Sequence, residues 1–203
     1  MARHDALVLA GGRGSRLGGS DKAALVVAGR PLLDRVLDAT LSAEHVVLVG
    51  PVTPPDGVVV TSEEPPGGGP VAGIAAGVAA LEALPADAPW LLVLAVDQPQ
   101  AAAAAHAVLS ALDQVPDAVD VVCHRDHGGH PQWLLAAYRR GRLDQALRRH
   151  GSGHGVSVRA LVADLRFSHV EAGSEHVGDI DTWADHRAWE DRLGRGTMAR
   201  QED

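Results

Sequence analysis

Residues 9 to 25, LAGGRGSRLGGSDKAAL, combine five glycines with Arg13, Arg16 and Lys22. Glycine lets backbone N–H groups approach an anion closely, and arginine and lysine neutralise its charge, so the chemistry this stretch suits is phosphate binding. It follows the apolar run Ala6-Leu7-Val8, which puts it at the carboxyl end of a first strand, where open α/β sheets bind ligands. From charge alone it reads equally as a solvated turn. Three phosphate motifs compete. A Walker loop needs lysine directly after glycine and before Ser or Thr, but Lys22 stands between Asp21 and Ala23, which rules it out. A dinucleotide fingerprint fits Gly12, Gly14 and Gly18 loosely; it leaves Arg16 and Lys22 without a role, and no Tyr-x-x-x-Lys pair follows Tyr138. The third pattern is a glycine-rich loop ending in a lysine, which would close over a nucleoside triphosphate and give Arg16 and Lys22 a place at its phosphates.

Carboxylates elsewhere supply the complementary chemistry. Asp97 ends the run WLLVLAVD, so it faces the same crevice as the glycine loop. An aspartate there commonly caps a helix, but beside a triphosphate it is suited to hold Mg²⁺. Asp179 and Asp181 lie in GDIDTWADH, where Asp181 or Thr182 followed by Asp185 equally makes a helix N-cap. His124, His127 and His130 in HRDHGGHPQ have no companion Cys or Glu that completes a zinc site, and read as surface residues.

Composition bounds what these residues can serve. The chain has 203 residues, a formal net charge of −8 and one cysteine, Cys123. That length suits a single domain, and the acidic balance argues against nucleic acid or anionic membrane as partner. One cysteine excludes an intrachain disulfide and a CxxC metal knuckle. No apolar run approaches the roughly 18 residues of a membrane span, and no secretory leader is visible, so the expected location is the cytoplasm.

The elements that must position the site are short aliphatic runs alternating with helices. Strands are expected at 6–9, 45–50, 57–62, 90–97, 120–125, 133–139 and 166–171. Helices are expected at 31–41, 69–84, 101–112, 141–150, 156–165 and 182–193, with a frayed tail over 196–203. Near-continuous aliphatic strands belong to a sheet covered on both faces. The expected fold is therefore a single-domain three-layer α/β/α sandwich with a mostly parallel, Rossmann-like sheet.

The glycine loop closely resembles the signature of the nucleotidyltransferase family typified by molybdenum cofactor guanylyltransferase: Leu-Ala-Gly-Gly, a spacer, Arg, Met or Leu, Gly, a spacer, Lys. The resemblance continues in GRPLLDRVL, EEPPGGGPVAGIAAGV, LAVDQP and DIDTWADH, in family order across nearly the whole chain. It implies the nucleotide-diphospho-sugar transferase type of fold, with an NTP-binding half over about 1–100 and an acceptor half over about 101–195. It implies that Leu9, Ala10, Gly11 and Gly12 line the nucleotide pocket with Lys22, that Arg16, Lys22 and Asp97 act on the phosphates, and that Asp97 and Asp181 hold Mg²⁺. The family often has Asn where this chain has Asp at that last block, which leaves Asp179 a rival to Asp181. Glu63, where the family usually has Asp, would accept from the guanine N1–H and 2-amino group. No match is found in LVGPVTPP for an Asn that contacts the nucleotide in some members.

The activity implied is transfer of GMP from GTP to molybdopterin cofactor with release of pyrophosphate. The resemblance also implies contact with molybdenum cofactor synthesis or acceptor proteins. GGHPQWLLAAYR would lie where the acceptor docks. GGHP before a strand also resembles the cytidylyl branch, so CTP or another phosphorylated acceptor such as phospholactate stays open, as does a nucleotide-binding partner protein without turnover.

Overall fold

A computed structural model describes residues 1–12, 17–85, 87–126, 128–171 and 173–199. The first strand, β1 (His4–Leu9), is buried at every position, and its neighbours account for that. It pairs in parallel with β4 (Val46–Val49) on one side and β6 (Trp90–Ala95) on the other, with Leu9 opposite Val49 and Ala95. A seven-stranded sheet results, in the order β5-β4-β1-β6-β8-β7-β9. The edge strand β5 (Val59–Thr61) is parallel to β4, and β9 (Phe167–Val170) is parallel to β7 (Val121–Arg125). Only β8 (Pro131–Arg139) among them runs against its neighbours, pairing antiparallel with both β6 and β7. That reversal brings the β7–β8 turn and the start of β8 to the end of the sheet where β1, β4 and β6 finish.

Alternate residues of each strand feed two cores, as the period of two requires. Leu7, Val47, Val93 and Tyr138 pack with helices α2 (Pro70–Glu82), α4 (Arg140–Arg148) and α5 (Val158–Leu161). Val8, Leu48, Leu92 and Ala137 pack with α1 (Leu32–Leu37) and α3 (Ala101–Ala111) on the opposite face. These are the three layers expected from the sequence.

The small residues of α2 have a use. A Cβ on Gly77 would lie 2.0 Å from Leu7 Cδ1, and one on Gly73 would lie 3.0 Å from Leu9 Cδ2. The helix thus rests directly on β1, with its amino end beside the strand's carboxyl end.

Several expectations need correction. The helix expected at 31–41 divides into α1 and a 3-10 turn, Asp38–Thr40. Only Val158–Leu161 of the expected helix 156–165 is helical, with Ser157 Oγ accepting from Ala160 N–H at its start. A two-stranded hairpin, β2 (Val26–Val27) and β3 (Arg30–Pro31), was not expected; Ala28 and Gly29, both at positive φ, form its turn. The closing helix α6 (Trp183–Ala199) runs past residue 193 into the segment expected to fray. His124 is not a surface residue: it is fully buried in β7, with Nδ1 3.1 Å from Val170 O and Nε2 2.8 Å from Ala104 O. There the ring ties α3 to β9. His130 is exposed, and His127 lies outside the described residues.

Candidate active site

Where β1, β4 and β6 end, the chain leaves a cleft of about 1290 Å³. Gly11 and Gly12 form one part of its wall, Gly50 and Glu63 another, and Lys22, Asp97 and Asp181 a third. The glycine wall depends on close backbone approach. Ala10 N–H donates to Val49 O at 2.8 Å, and a Cβ on Gly50, whose φ is +141°, would lie 2.7 Å from Gly11 N. Only glycine fits at position 50. Its place directly after the run VVLV is the signal of this in the sequence. Ala10 itself is buried and does not line the cleft, whereas Leu9 does. Arg16 lies outside the described residues.

Lys22 is aimed by its own turn and by what lies beneath it. Asp21 Oδ1 accepts from Ala23 N–H at 2.9 Å, and Lys22 O accepts from Leu25 N–H at 3.2 Å. Below, Leu17, Val27, Leu32, Ile180 and Trp189 form a small separate core that joins the loop, the hairpin, α1 and α6. Ile180 also donates its N–H to Asp97 O at 2.9 Å, which lays the segment before α6 against the end of β6.

These anchors bring three distant segments together. Lys22 Nζ donates to Asp97 Oδ2 and to Asp181 Oδ1, each at 2.8 Å. Lysine and Asp97 are largely shielded, with 16% and 20% of their side chains exposed, while Asp181 is 46% exposed. Burial acts to lower the Lys22 pKa, but the two carboxylates outweigh it and hold the pKa above the ordinary lysine value. The group is therefore cationic throughout the physiological range. Its favourable contribution to stability is complete below the usual lysine pKa and is lost only in strong alkali.

The capping alternative at GDIDTWADH resolves in favour of Thr182. Thr182 Oγ1 accepts from Asp185 N–H at 3.2 Å, while Asp185 Oδ2 accepts from the N–H groups of Thr182 and Asp181 at 2.7 and 3.2 Å. This reciprocal box starts α6 and leaves the Asp181 carboxylate to face Lys22. Asp179 is exposed beside the site and does not line the cleft. Desolvation, followed by the charges of Asp97 and Asp181, raises its pKa.

A raised carboxylate pKa costs stability as pH rises from the unfolded value through the folded one, and costs none below both. Solvent screens so exposed a group, so Asp179→Asn is expected to raise Tm only slightly at pH 7 and not at pH 3. Nucleotide turnover should hardly change in that variant, whereas Asp181→Asn should lower it by about tenfold or more. Thermal melts at the two pH values with parallel kinetics check both, and equal kinetic losses would make Asp179 a functional partner.

The residues present fit a divalent cation. Two carboxylate oxygens from different elements already converge on one positive charge at the mouth of a glycine-walled cleft, an arrangement of hard oxygen donors that suits Mg²⁺. Another acidic group, Asp5, Glu44 and His45, lies at the opposite end of β1. Its members are otherwise engaged: Asp5 with His45 and Arg140, Glu44 with Arg3.

At the cleft's other side, Glu63 Oε1 accepts from Gly67 N–H at 3.1 Å, which folds the glycine turn before α2. That turn is braced where Gly155 N–H donates to Gly68 O at 2.9 Å. Leu134 of β8 also reaches the cleft. Nearby, Asp126 Oδ1 accepts from Gly128 and His130 N–H groups at 2.8 and 2.9 Å and shapes the turn before β8. No helix among the described residues is long and apolar enough to cross a membrane.

Comparison with known proteins follows the same lines. The family model described as MobA-like NTP transferase domain matches residues 6–170. The fold is similar to that of molybdopterin-guanine dinucleotide biosynthesis protein A from Archaeoglobus fulgidus, with a TM-score of 0.70 and 19% identity over 94% of this chain and 99% of that one. It is similar also to 2-C-methyl-D-erythritol 4-phosphate cytidylyltransferase from Thermus thermophilus, with a TM-score of 0.63 and 21% identity over 96% and 100% of the two chains. The Francisella tularensis cytidylyltransferase of the same name gives a TM-score of 0.64 at 12% identity, over 92% and 98%. Among curated protein sequences, none matches.

Proposed function

The chain belongs to the MobA-like NTP transferase domain family, and on that premise we propose that it transfers GMP from GTP to molybdopterin cofactor, releasing pyrophosphate. The observation that carries this reading is the meeting of Lys22, Asp97 and Asp181 at the edge of a glycine-walled cleft. Cation and carboxylates together are what a metal–triphosphate complex requires, and a dinucleotide cofactor would need no such pair.

In the step proposed, an oxygen of the acceptor phosphate attacks the α-phosphorus of GTP in line. The bond from α-phosphorus to the bridging oxygen breaks, and pyrophosphate leaves with that electron pair. The backbone of Gly11 and Gly12 borders the nucleotide, Glu63 accepts from the guanine edge, and Lys22 steadies charge on the phosphates. Arg16 joins it in the reading from sequence. Asp97 and Asp181 would hold Mg²⁺, which when bound neutralises charge on the triphosphate and the departing pyrophosphate. The protein's work is positioning and electrostatic stabilisation. The acceptor would dock beside GGHPQWLLAAYR, in the half over about 101–195, whose Leu134 reaches the cleft. The proposed location is the cytoplasm.

Lys22→Ala tests the phosphate role. Turnover with GTP is expected to fall about 10²-fold while Tm changes by a few degrees, and Lys22→Arg should recover only part, because a planar guanidinium cannot replace a compact ammonium. Unchanged kinetics in the alanine variant would confine Lys22 to neutralising Asp97 and Asp181.

A further inference from the structure

Lys22 spends its charge on Asp97 and Asp181, although the glycine wall a triphosphate would lie against belongs to the same cleft. Two carboxylates converging without a cation would repel each other, and the shielded ammonium removes that repulsion. We propose that Lys22 is a placeholder for the metal: in the nucleotide-free protein its ammonium occupies the position between Asp97 and Asp181, and it passes to the phosphates when metal and nucleotide arrive together. This rests on the reading that Asp97 and Asp181 hold the divalent ion.

Charge balance gives the device its consequence. A divalent ion arriving alone must expel the ammonium from both carboxylates and then sit close to it, two positive charges with no added anion. An ion arriving with a triphosphate brings the ammonium a new anionic partner, so neither cation is left uncompensated. The site is therefore poorly receptive to metal alone, and metal and nucleotide bind with positive coupling. By linkage, each raises the other's affinity by the same factor. Lys22 is in this respect a positioning residue for the metal as well as a contact for phosphate, and its two roles separate by ligand.

The test is a titration with Mn²⁺, read from the electron paramagnetic resonance signal of the free ion, without nucleotide and with a GTP analogue whose α–β bridge cannot be cleaved. Wild type should bind Mn²⁺ alone weakly and bind it far more tightly with the analogue. Lys22→Met should tighten binding of Mn²⁺ alone by about tenfold or more and shrink the coupling factor. Lys22→Gln, a shorter side chain that keeps an amide donor without the charge, provides a second variant should the methionine chain fold poorly. Adding Asp97→Asn to either should abolish the gained affinity. If neither Lys22 variant binds Mn²⁺ more tightly, while Asp97→Asn removes the metal from the wild-type ternary complex, the placeholder is overturned and the metal site stands. If Mn²⁺ binding survives Asp97→Asn in every background, the metal lies elsewhere and both fall.

Discussion

Asp97→Asn is expected to lower turnover with GTP and Mg²⁺ by about 10³-fold and leave the fold in place. Asparagine keeps the shape of the side chain and removes the charge, so what is lost is the capacity to hold a cation. The structural cost is small, because Asp97 lies outside the apolar cores and its backbone is fixed independently by Ile180 N–H. Lys22 retains Asp181 as partner. Tm should therefore move by no more than about 3 °C. Steady-state kinetics and a thermal melt on one preparation make the comparison. Near-normal turnover in a folded variant would remove Asp97 from the metal site, and collapse of the fold would make it a structural residue.

The second large effect concerns the base. GTP is expected to exceed CTP in kcat/KM by about 10²-fold or more, with Glu63→Gln removing most of the difference. Guanine offers N1–H and a 2-amino group side by side to the Glu63 carboxylate, whereas cytosine has a single donor, its 4-amino group, next to the N3 acceptor and cannot match that pair. Gly11→Ala should erode the preference by a different route. A Cβ there would lie 3.8 Å from Val49 O and 3.9 Å from Gly50 Cα, an ordinary contact, so the chain accepts it without rearrangement. What alanine takes is room on the cleft side, where the purine needs more than the pyrimidine. Competition between the two nucleotides on wild type and both variants is the measurement. A clear preference for CTP would reassign the base while leaving nucleotidyl transfer intact.

How much of this was legible in the sequence differs residue by residue. Lys22 and Asp97 could be read because each follows a strand whose aliphatic run is unambiguous, and strand ends in a covered sheet point to one crevice. Asp181 could be read only in part: Thr182 and Asp185 cap α6 between them, and which oxygen caps is decided by tertiary contact with Lys22 and Ile180. The reversal of β8 could not be read, because WLLAAYR is aliphatic in either direction and its pairing with β6 is set by residues far away in the chain. The hairpin at Val26–Pro31 was too short to register as a period of two. His124 misled because its neighbours Arg125 and Asp126 begin a polar turn, while the ring itself points between α3 and β9. Gly73 and Gly77, four residues apart in α2, carried a signal of close packing on β1 that reading the helix only as rich in small residues did not extract.

The most direct test of the central claim follows the label in GTP. Purified protein with Mg²⁺ and molybdopterin cofactor should move radioactivity from the α-phosphate of GTP onto the acceptor. In a parallel reaction, a γ-phosphate label should appear in pyrophosphate, one equivalent for each transferred, and neither should happen without acceptor or with Asp97→Asn. Release of the γ label as inorganic phosphate, or no α label on the acceptor under these conditions, would contradict transfer of GMP to this cofactor.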